Sequence, residues 1–448
     1  MIEKYYDGAI EQVAAGLGTV EKNYLLVRYS GQFSVENLND TKQLEKNEDI
    51  FVQVHEFETG EITCAYEPYL TMICDGFRRY MTGTFEEFME TCDVYYLHRP
   101  VLLGYFNQDN TGREEIILLD EVAYEQERML AALERMLCAI ADRHPVLFVL
   151  NRFQLASKST MQLTARFLKC ENCNIGLVLG VSDIQAMPEF LVPDWEMLYE
   201  TLDDGSKIYH IGNSGRKKEE TIDDEKYVDY GSEKVYRKLQ NMVEFLDFDQ
   251  AAYYLENIER KIKFDNLLVD DAARFRMWLL FVKVSILRQD IPKALEICED
   301  LEKIHLAGKE EECAYEQDYL IATAYMYQGK LKEALEMAGE TYRIAGKMSD
   351  DYRMFLSELL EAKIQMSGWY NIFFCAQDVK IKESLIQNLI RYNYRNHLAH
   401  VYIYAYDNKP EIVKKANQSE ELLIYFSRGI RIAKKLGNEY LINMAYQK

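Results

Sequence analysis

Two periodicities divide this chain. In the first half, short continuous apolar runs alternate with amphipathic stretches, and residues 24–27, 50–54, 146–150 and 175–181 read as strands. Residues 69–80 and 84–92 read as helical. So does 121–142, where Met129, Leu133, Met136, Leu137 and Ile140 recur at three- and four-residue spacing on one helix face. Pro145 ends that pattern. Strands that are apolar throughout and separated by helices predict a parallel sheet covered on both faces.

From Tyr236 onward the pattern is helical, and it repeats. Asp290-Ile-Pro-Lys-Ala294-Leu295 returns forty positions later as Gly329-Lys-Leu-Lys-Glu-Ala334-Leu335, with an earlier copy at Asp247-Phe-Asp-Gln-Ala251-Ala252. Helix-turn-helix units of about 40 residues predict an α-solenoid, because one unit cannot bury its apolar face alone. In the fullest unit, Ala322 and Ala334 allow close helix approach, Tyr325 fills the groove and Gly329 makes the turn. This spacing resembles the tetratricopeptide repeat. The run IYFSRGIRIAKKLGNEYLINMAYQ (424–447) reads as a second helix, a Leu436-Gly437-Asn438 turn and the next first helix. Between the halves, RKKEETIDDEKYVDYGSE (216–233) is polar with alternating charge and lacks apolar periodicity. The expected division is an α/β domain over 1–212, a linker over 213–233 and helical repeats over 234–448.

Charge and cysteine usage narrow the function. The net charge is −22, and the densest basic run, Arg216 to Lys218, is neutralised at once by Glu219 and Glu220. That excludes a sequence-independent grip on nucleic acid, which needs Lys and Arg against phosphates. The N-terminus is charged and tyrosine-rich, unlike a secretory signal, and no uncharged stretch is long enough to span a bilayer. Nine scattered cysteines fit reduced thiols, so the expectation is a cytoplasmic protein with no membrane partner. The chain ends at Ala445-Tyr446-Gln447-Lys448 inside an apparent first helix without a polar cap, as a fragment of a longer protein would.

Several segments of the first half resemble the ATPase module of STAND-type signal-transduction proteins, relatives of the AAA ATPases that in bacteria often precede tetratricopeptide solenoids, as in MalT-like regulators. The resemblance covers about 22–211 and is carried by HPVLFVLNRFQLASKSTMQLTARFL (144–168), where relatives have an apolar strand, two acids, an aromatic-rich turn and a Ser/Leu-rich helix. NIGLVLGVSD (174–183) resembles the next core strand, DWEMLYETLDDGSKIYHIG (194–212) the closing strand and arm, and ETGEITCAYEPYLTMICDGF (58–77) the segment after the second strand. The resemblance implies a P-loop-NTPase-like parallel-sheet domain followed by a tetratricopeptide-like superhelical solenoid.

The chemistry of that family is missing. Phosphoryl transfer needs a backbone cradle with a lysine, a hydroxyl and an acid for Mg²⁺, and a group that orients water. The first strand is instead followed by RYSGQFSVENLND, whose one glycine is Gly31, and no Gly-Lys-Ser/Thr occurs anywhere in the chain. Where the resemblance calls for two acids after the strand at 146–150, Asn151 and Arg152 stand. An amide brings no negative charge to a hard dication, and a cation beside it repels the metal. Gly31, Asn151 and Arg152 are therefore degenerate site positions, and the expectation is an inactive ATPase relative with no cofactor and no metal. Arg28 and Arg152 lie at strand ends, where α/β sheets place ligands, and either hold an anion or pair with nearby carboxylates.

Other constellations read as ordinary. Cys170-Glu-Asn-Cys173 lacks a second pair for zinc and follows a helix rather than opening one. His397 and His400 share a helix face outside any His-Glu-x-x-His pattern and read as repeat surface. Tyr392, Tyr394, Tyr402, Tyr404 and Tyr406 are candidate partner contacts, with packing between repeats as their other use. The function expected is a non-catalytic signalling scaffold binding a protein, peptide or small inducer through the repeats. The alternatives are an active STAND-type switch with an unusual phosphate loop, or the sensor part of a longer transcription or signalling regulator.

Overall fold

The computed structural model describes residues 2–17, 24–29, 49–58, 61–109, 116–117, 119–170, 174–182, 187–203, 208–211, 229–265, 267–366, 383–407 and 416–446. Strands β1 (Tyr24–Tyr29), β2 (Phe51–Glu56), β3 (Val146–Asn151), β4 (Ile175–Ser182) and β5 (Ile208–Ile211) form one sheet in the order β2-β3-β4-β1-β5. Every adjacent pair is parallel. Parallel neighbours cannot be joined by a tight turn, so helices carry the chain across. Helices α2 (Tyr69–Tyr80), α3 (Phe85–Thr91), α4 (Arg99–Asn107) and α5 (Val122–Ala141) lie between β2 and β3. Helix α6 (Lys158–Lys169) joins β3 to β4, and α7 (Val192–Asp203) joins β4 to β5.

β1 and β2 each run two residues past their expected ends. The ladder goes on pairing there, Arg28 with Val181 and Tyr29 with Ser182, and His55 and Glu56 with Leu150 and Asn151. All six residues of β3 are buried, as a central strand covered on both faces requires. On one face Leu147 and Val149 join Leu25, Val27 and Val178 under Ile10 and Val13 of α1 (Ile2–Gly16), a helix not expected from the sequence. Gly176 lets α1 sit close, since a Cβ there would lie 2.8 Å from Cγ1 of Val13 and 3.0 Å from Cδ1 of Leu147. Phe148, of opposite parity on β3, meets Tyr69 at a ring separation of 4.7 Å, and Tyr69 meets Phe167 at 5.4 Å.

By internal contacts the chain forms two compact units. The first is Met1–Val94, Val101–Thr111 and Glu125–Tyr254; the second is Tyr95–Pro100, Gly112–Tyr124 and Leu255–Lys448. Residues 212–228, most of the expected linker, lie outside the described residues. Helix α8 (Glu233–Glu244), which Ser232 caps, and the start of α9 (Phe248–Phe264) belong to the first unit. They are fastened there by side chains. Lys238 donates to Glu61 at 2.6 Å and to the carbonyl of Ile62 at 2.8 Å, and Asp247 accepts from the amide of Ser159 at 3.0 Å.

The rest is helical: α10 (Asp271–Leu287), α11 (Ile291–Leu301), α12 (Glu310–Gln328), α13 (Leu331–Met348), α14 (Asp351–Met366), α15 (Glu383–Arg391), α16 (Arg395–Asp407), α17 (Ala416–Leu436) and α18 (Glu439–Tyr446). No described helix is long and apolar enough to cross a membrane. One joint recurs along this half. Leu246, Gln289, Gly329, Ser349, Asn393 and Gly437 each adopt a left-handed φ between 56° and 82°. The next residue then bonds its amide to the carbonyl five positions back: Asp247 to Met242, Asp290 to Ser285, Lys330 to Tyr325, Asp350 to Ala345, Tyr394 to Leu389, Asn438 to Ala433. This is a Schellman stop that serves directly as the next helix start. Only two of the six positions are glycine, so four of the joints carry no glycine to mark the turn in the sequence.

Ala322 and Ala334 are both fully buried in one cluster with Leu331 and Ala338, and Tyr325 packs against it. Gly429 gives a similar close approach between α17 and α16, where a Cβ would lie 2.8 Å from Cγ1 of Ile403 and 3.0 Å from the carbonyl of Ala399.

Candidate functional site

In a parallel sheet all carboxyl ends lie on one edge, and ligands bind beside that edge where the strand order reverses. Here the reversal is at β1, which has β4 on one side and β5 on the other. Apart from Arg28, the described polar groups on this edge are paired with one another. Asn151, fully buried at the end of β3, accepts from the Tyr29 hydroxyl at 2.7 Å through Oδ1. Its own carbonyl accepts from the amide of Phe57 at 3.1 Å. Burial pushes the Tyr29 phenol up to about 12, against the pull of nearby Arg152 and the bond to Asn151, so the phenol stays neutral at physiological pH.

Arg152 is left-handed at φ 54°, ψ 42°, and caps the short 3₁₀ turn Phe153–Leu155. Its Nε lies 3.4 Å from Oε1 of Glu56 at the end of β2. The second cation of this edge therefore has a carboxylate partner, one of the two uses expected of it. Arg28 differs. Its guanidinium lies 5.3 Å from the Tyr199 ring centroid, and its Nε is buried with no hydrogen-bond acceptor. Gln154 completes the edge, donating to the carbonyl of Ser182 at 3.1 Å and accepting from the amide of Ser182 at 3.4 Å. Gly31 lies outside the described residues.

The helix after β3 begins at an amide cluster that would suit an anion. It is capped from within the chain. Ser157 accepts from the amide of Thr160 at 3.2 Å, Asp247 from that of Ser159 at 3.0 Å, and Gln250 from that of Lys158 at 3.3 Å. Burial holds the Asp247 carboxyl above the usual carboxylate range despite its bonds from Ser159. The Lys158 ammonium pairs with Asp249 and lies 3.9 Å from Asp194. Among the described residues, no group of three or more His, Cys, Asp or Glu side chains is placed to hold a metal ion.

The histidines of the helical half fall differently from expectation, and two of the tyrosines take the packing use. His397 and His400 are buried rather than surface residues, at 1% and 6% exposure. Burial holds the His397 imidazole well below its ordinary pKa, helped by Lys363 and His400, so it is neutral near pH 7. Tyr394 and Tyr402 are core residues, which removes them from the face open to a partner. Tyr394 meets the Phe355 ring at 5.1 Å and shares a 2.7 Å hydrogen bond with the Tyr352 hydroxyl. Tyr392 stacks on Phe355 at 4.8 Å and stays half-buried. The side chains of Tyr404 and Tyr406, and residue Cys173, lie outside the described residues; Cys170 is the C-cap residue of α6.

One buried polar centre escapes a linear reading. Glu121, just before α5 and inside the second unit, is 1% exposed. Its Oε2 accepts from Nδ2 of Asn396 at 2.6 Å, and its Oε1 accepts from Nδ2 of Asn438 and Nε2 of His400, each at 2.9 Å. Asn438 donates its other amide hydrogen to Asn396 at 2.7 Å, and its Oδ1 accepts from the Leu441 amide at 3.1 Å to start α18. Burial alone would raise the Glu121 pKa; the bonds from His400, Asn438 and Asn396 outweigh it and hold the carboxyl below its ordinary value. The donors stand 275 to 317 positions along the chain, so no local spacing announces them. The only sequence signals are the Asn438 turn and the one-turn separation of Asn396 and His400.

No known protein family, curated protein or solved structure matches the chain.

Proposed function

We propose that this chain is a non-catalytic signalling scaffold, in which an α/β domain of the ATPase type has lost its phosphate chemistry and a tetratricopeptide-like solenoid binds a protein or peptide in the cytoplasm. The observation that carries this reading is the self-paired carboxyl edge. Asn151 stands where the metal-holding acid is needed and is bonded to Tyr29, and Glu56, the acid at the end of β2, holds Arg152. The amide cluster of α6 is likewise filled by the chain's own Asp247 and Gln250. A magnesium–phosphate pair has to displace several internal contacts here, and the sequence has no Gly-Lys-Ser/Thr whose lysine would receive it.

The parallel sheet with its reversal at β1 supports a nucleotide-binding type of architecture. The repeated two-residue joint, and the packing of Ala322, Tyr325 and Ala334 around the Gly329 turn, support stacked repeats. Phosphate release from magnesium-ATP by the purified chain tests the reading, with no turnover above background expected. Turnover that disappears in Arg28→Ala or Arg152→Ala would instead favour an active switch. A second reading, anion binding without hydrolysis, has one observation in its favour, the buried and unpartnered Nε of Arg28. Calorimetric titration with ATP separates the two, since only the second reading gives saturable heat that Arg28→Ala abolishes.

A further inference from the structure

The environment of Glu121 is that of a bound ligand rather than of a surface acid. Three donors from two helices, Asn396 and His400 of α16 and Asn438 at the start of α18, converge on one carboxylate within 2.6–2.9 Å. A second contact follows three residues on. The Tyr124 hydroxyl donates to Glu439 at 3.2 Å, and its ring lies 6.2 Å from that of Tyr440. Leu119 is buried two residues before the glutamate. The piece Leu119-Asp-Glu121-Val-Ala-Tyr124, a 3₁₀ turn that runs into the first turn of α5, thus meets α16 and α18 through one deeply buried acid and one half-buried phenol, as the end of a helical peptide meets a receptor.

The receptor side is built to wait for that acid. Asn396 and His400 stand one helical turn apart, so both project from the same face. Asn438 uses both amide hydrogens, one on the carboxylate and one to fix Asn396, while its oxygen caps α18. A carboxylate with three donors is shared between charge-assisted bonds that neutral groups cannot replace.

We propose that α16 and α18 form a carboxylate-reading peptide site, occupied by the chain's own segment 119–124 as an autoinhibitory strap, and that the partner it awaits is a peptide carrying Glu-x-x-Tyr. This rests on the reading of the repeats as a binding surface. A partner of this form makes the contacts the strap gives up, so the exchange is decided by concentration. The tethered strap holds the site at an effective concentration of about millimolar, which keeps it closed to weak competitors.

The test uses the full-length chain and a fluorescent synthetic peptide of residues 116–127, followed by anisotropy. The wild-type chain should bind it weakly. Glu121→Ala, and the same-sized Glu121→Gln, should bind it at least tenfold more tightly. A peptide with glutamine at the glutamate position should lose that gain. Hydrogen exchange guards against a folding artefact: adding the peptide to Glu121→Ala should restore protection in α16 and α18. Equal binding by wild-type and variant chains, no binding by either variant, or lost protection that the peptide does not restore would each make the segment a fixed part of the core and overturn the proposal. ATP assays do not bear on this outcome, so it and the inactive-ATPase reading fail separately.

Discussion

At the scale of single residues, Asn151 decides most. It is neutral, fully buried and bonded to a phenol that burial keeps protonated. On the proposed reading, an acid placed at 151 alone still has no Gly-Lys-Ser/Thr lysine to work with and has Arg152 beside it. Asn151→Asp is therefore expected to remain without magnesium-dependent phosphate release, and recovered turnover would show that the lost acid was the whole defect. Glu121 gives a pH prediction. Its carboxyl titrates below its ordinary value in the fold, so its stabilisation is complete above that ordinary value and fades as pH falls through the folded one. Wild-type α16 and α18 should lose hydrogen-exchange protection on acidification over that window, while Glu121→Gln should be weaker at neutral pH and flatter below it. Truncating Asn438 takes a donor from the buried Glu121 and Asn396 oxygens and an acceptor from the Leu441 amide, so Asn438→Ala should cost about 1–3 kcal/mol in denaturant unfolding.

At the scale of elements, the recurring joint sets the expectations. A left-handed residue other than glycine costs about 1–2 kcal/mol. Gln289 bears that cost with an exposed side chain, so Gln289→Gly should stabilise the chain by up to about 1 kcal/mol. Gly329→Ala should destabilise by a similar amount. A Cβ at Gly329 meets nothing within 4 Å, so the loss there is conformational rather than steric. Ala334 is the opposite case. It is fully buried among Ala322, Leu331 and Ala338, and Ala334→Leu should overpack the joint at about 1–3 kcal/mol. Hydrogen exchange should show the damage spreading through α12 to α14 and sparing β1 to β4.

At the scale of the whole molecule, the polar run at 213–233 remains the expected first site of limited proteolysis. The side-chain contacts change what a cut there should yield. Helix α8 and the start of α9 follow the run in sequence, yet they are tied into the first unit by Lys238 on Glu61, Asp247 on Ser159 and the Lys158–Asp249 pair. The two fragments should therefore co-elute on native gel filtration rather than separate into two folded pieces. Clean separation would show that these contacts are too weak to hold the cut chain.

Much of this organisation was open to a linear reading, and the reason is local. A five-residue apolar run that follows Pro145, such as 146–150, suits a strand covered on both faces, and the spacing of Met129, Leu133, Met136 and Ile140 suits one helix face. The absence of a Gly-Lys-Ser/Thr sequence and the presence of Asn151 and Arg152 are likewise facts of composition at a strand end. The recurring joint was visible where glycine marked the turn, at Gly329, and stayed hidden where Leu246, Gln289 or Asn393 took the same backbone state. Among these positions only glycine marks a left-handed φ in the sequence. Helix α1 was hidden because its apolar stripe is short and acquires meaning only against Gly176. What tertiary structure alone decided is which polar groups meet: Tyr29 with Asn151, Arg152 with Glu56, Asp247 with α6, and Glu121 with Asn396, His400 and Asn438. Burial periodicity is written along the chain. The pairing of a buried charge with donors hundreds of residues away is set by how the elements pack, and no sequence spacing encodes it.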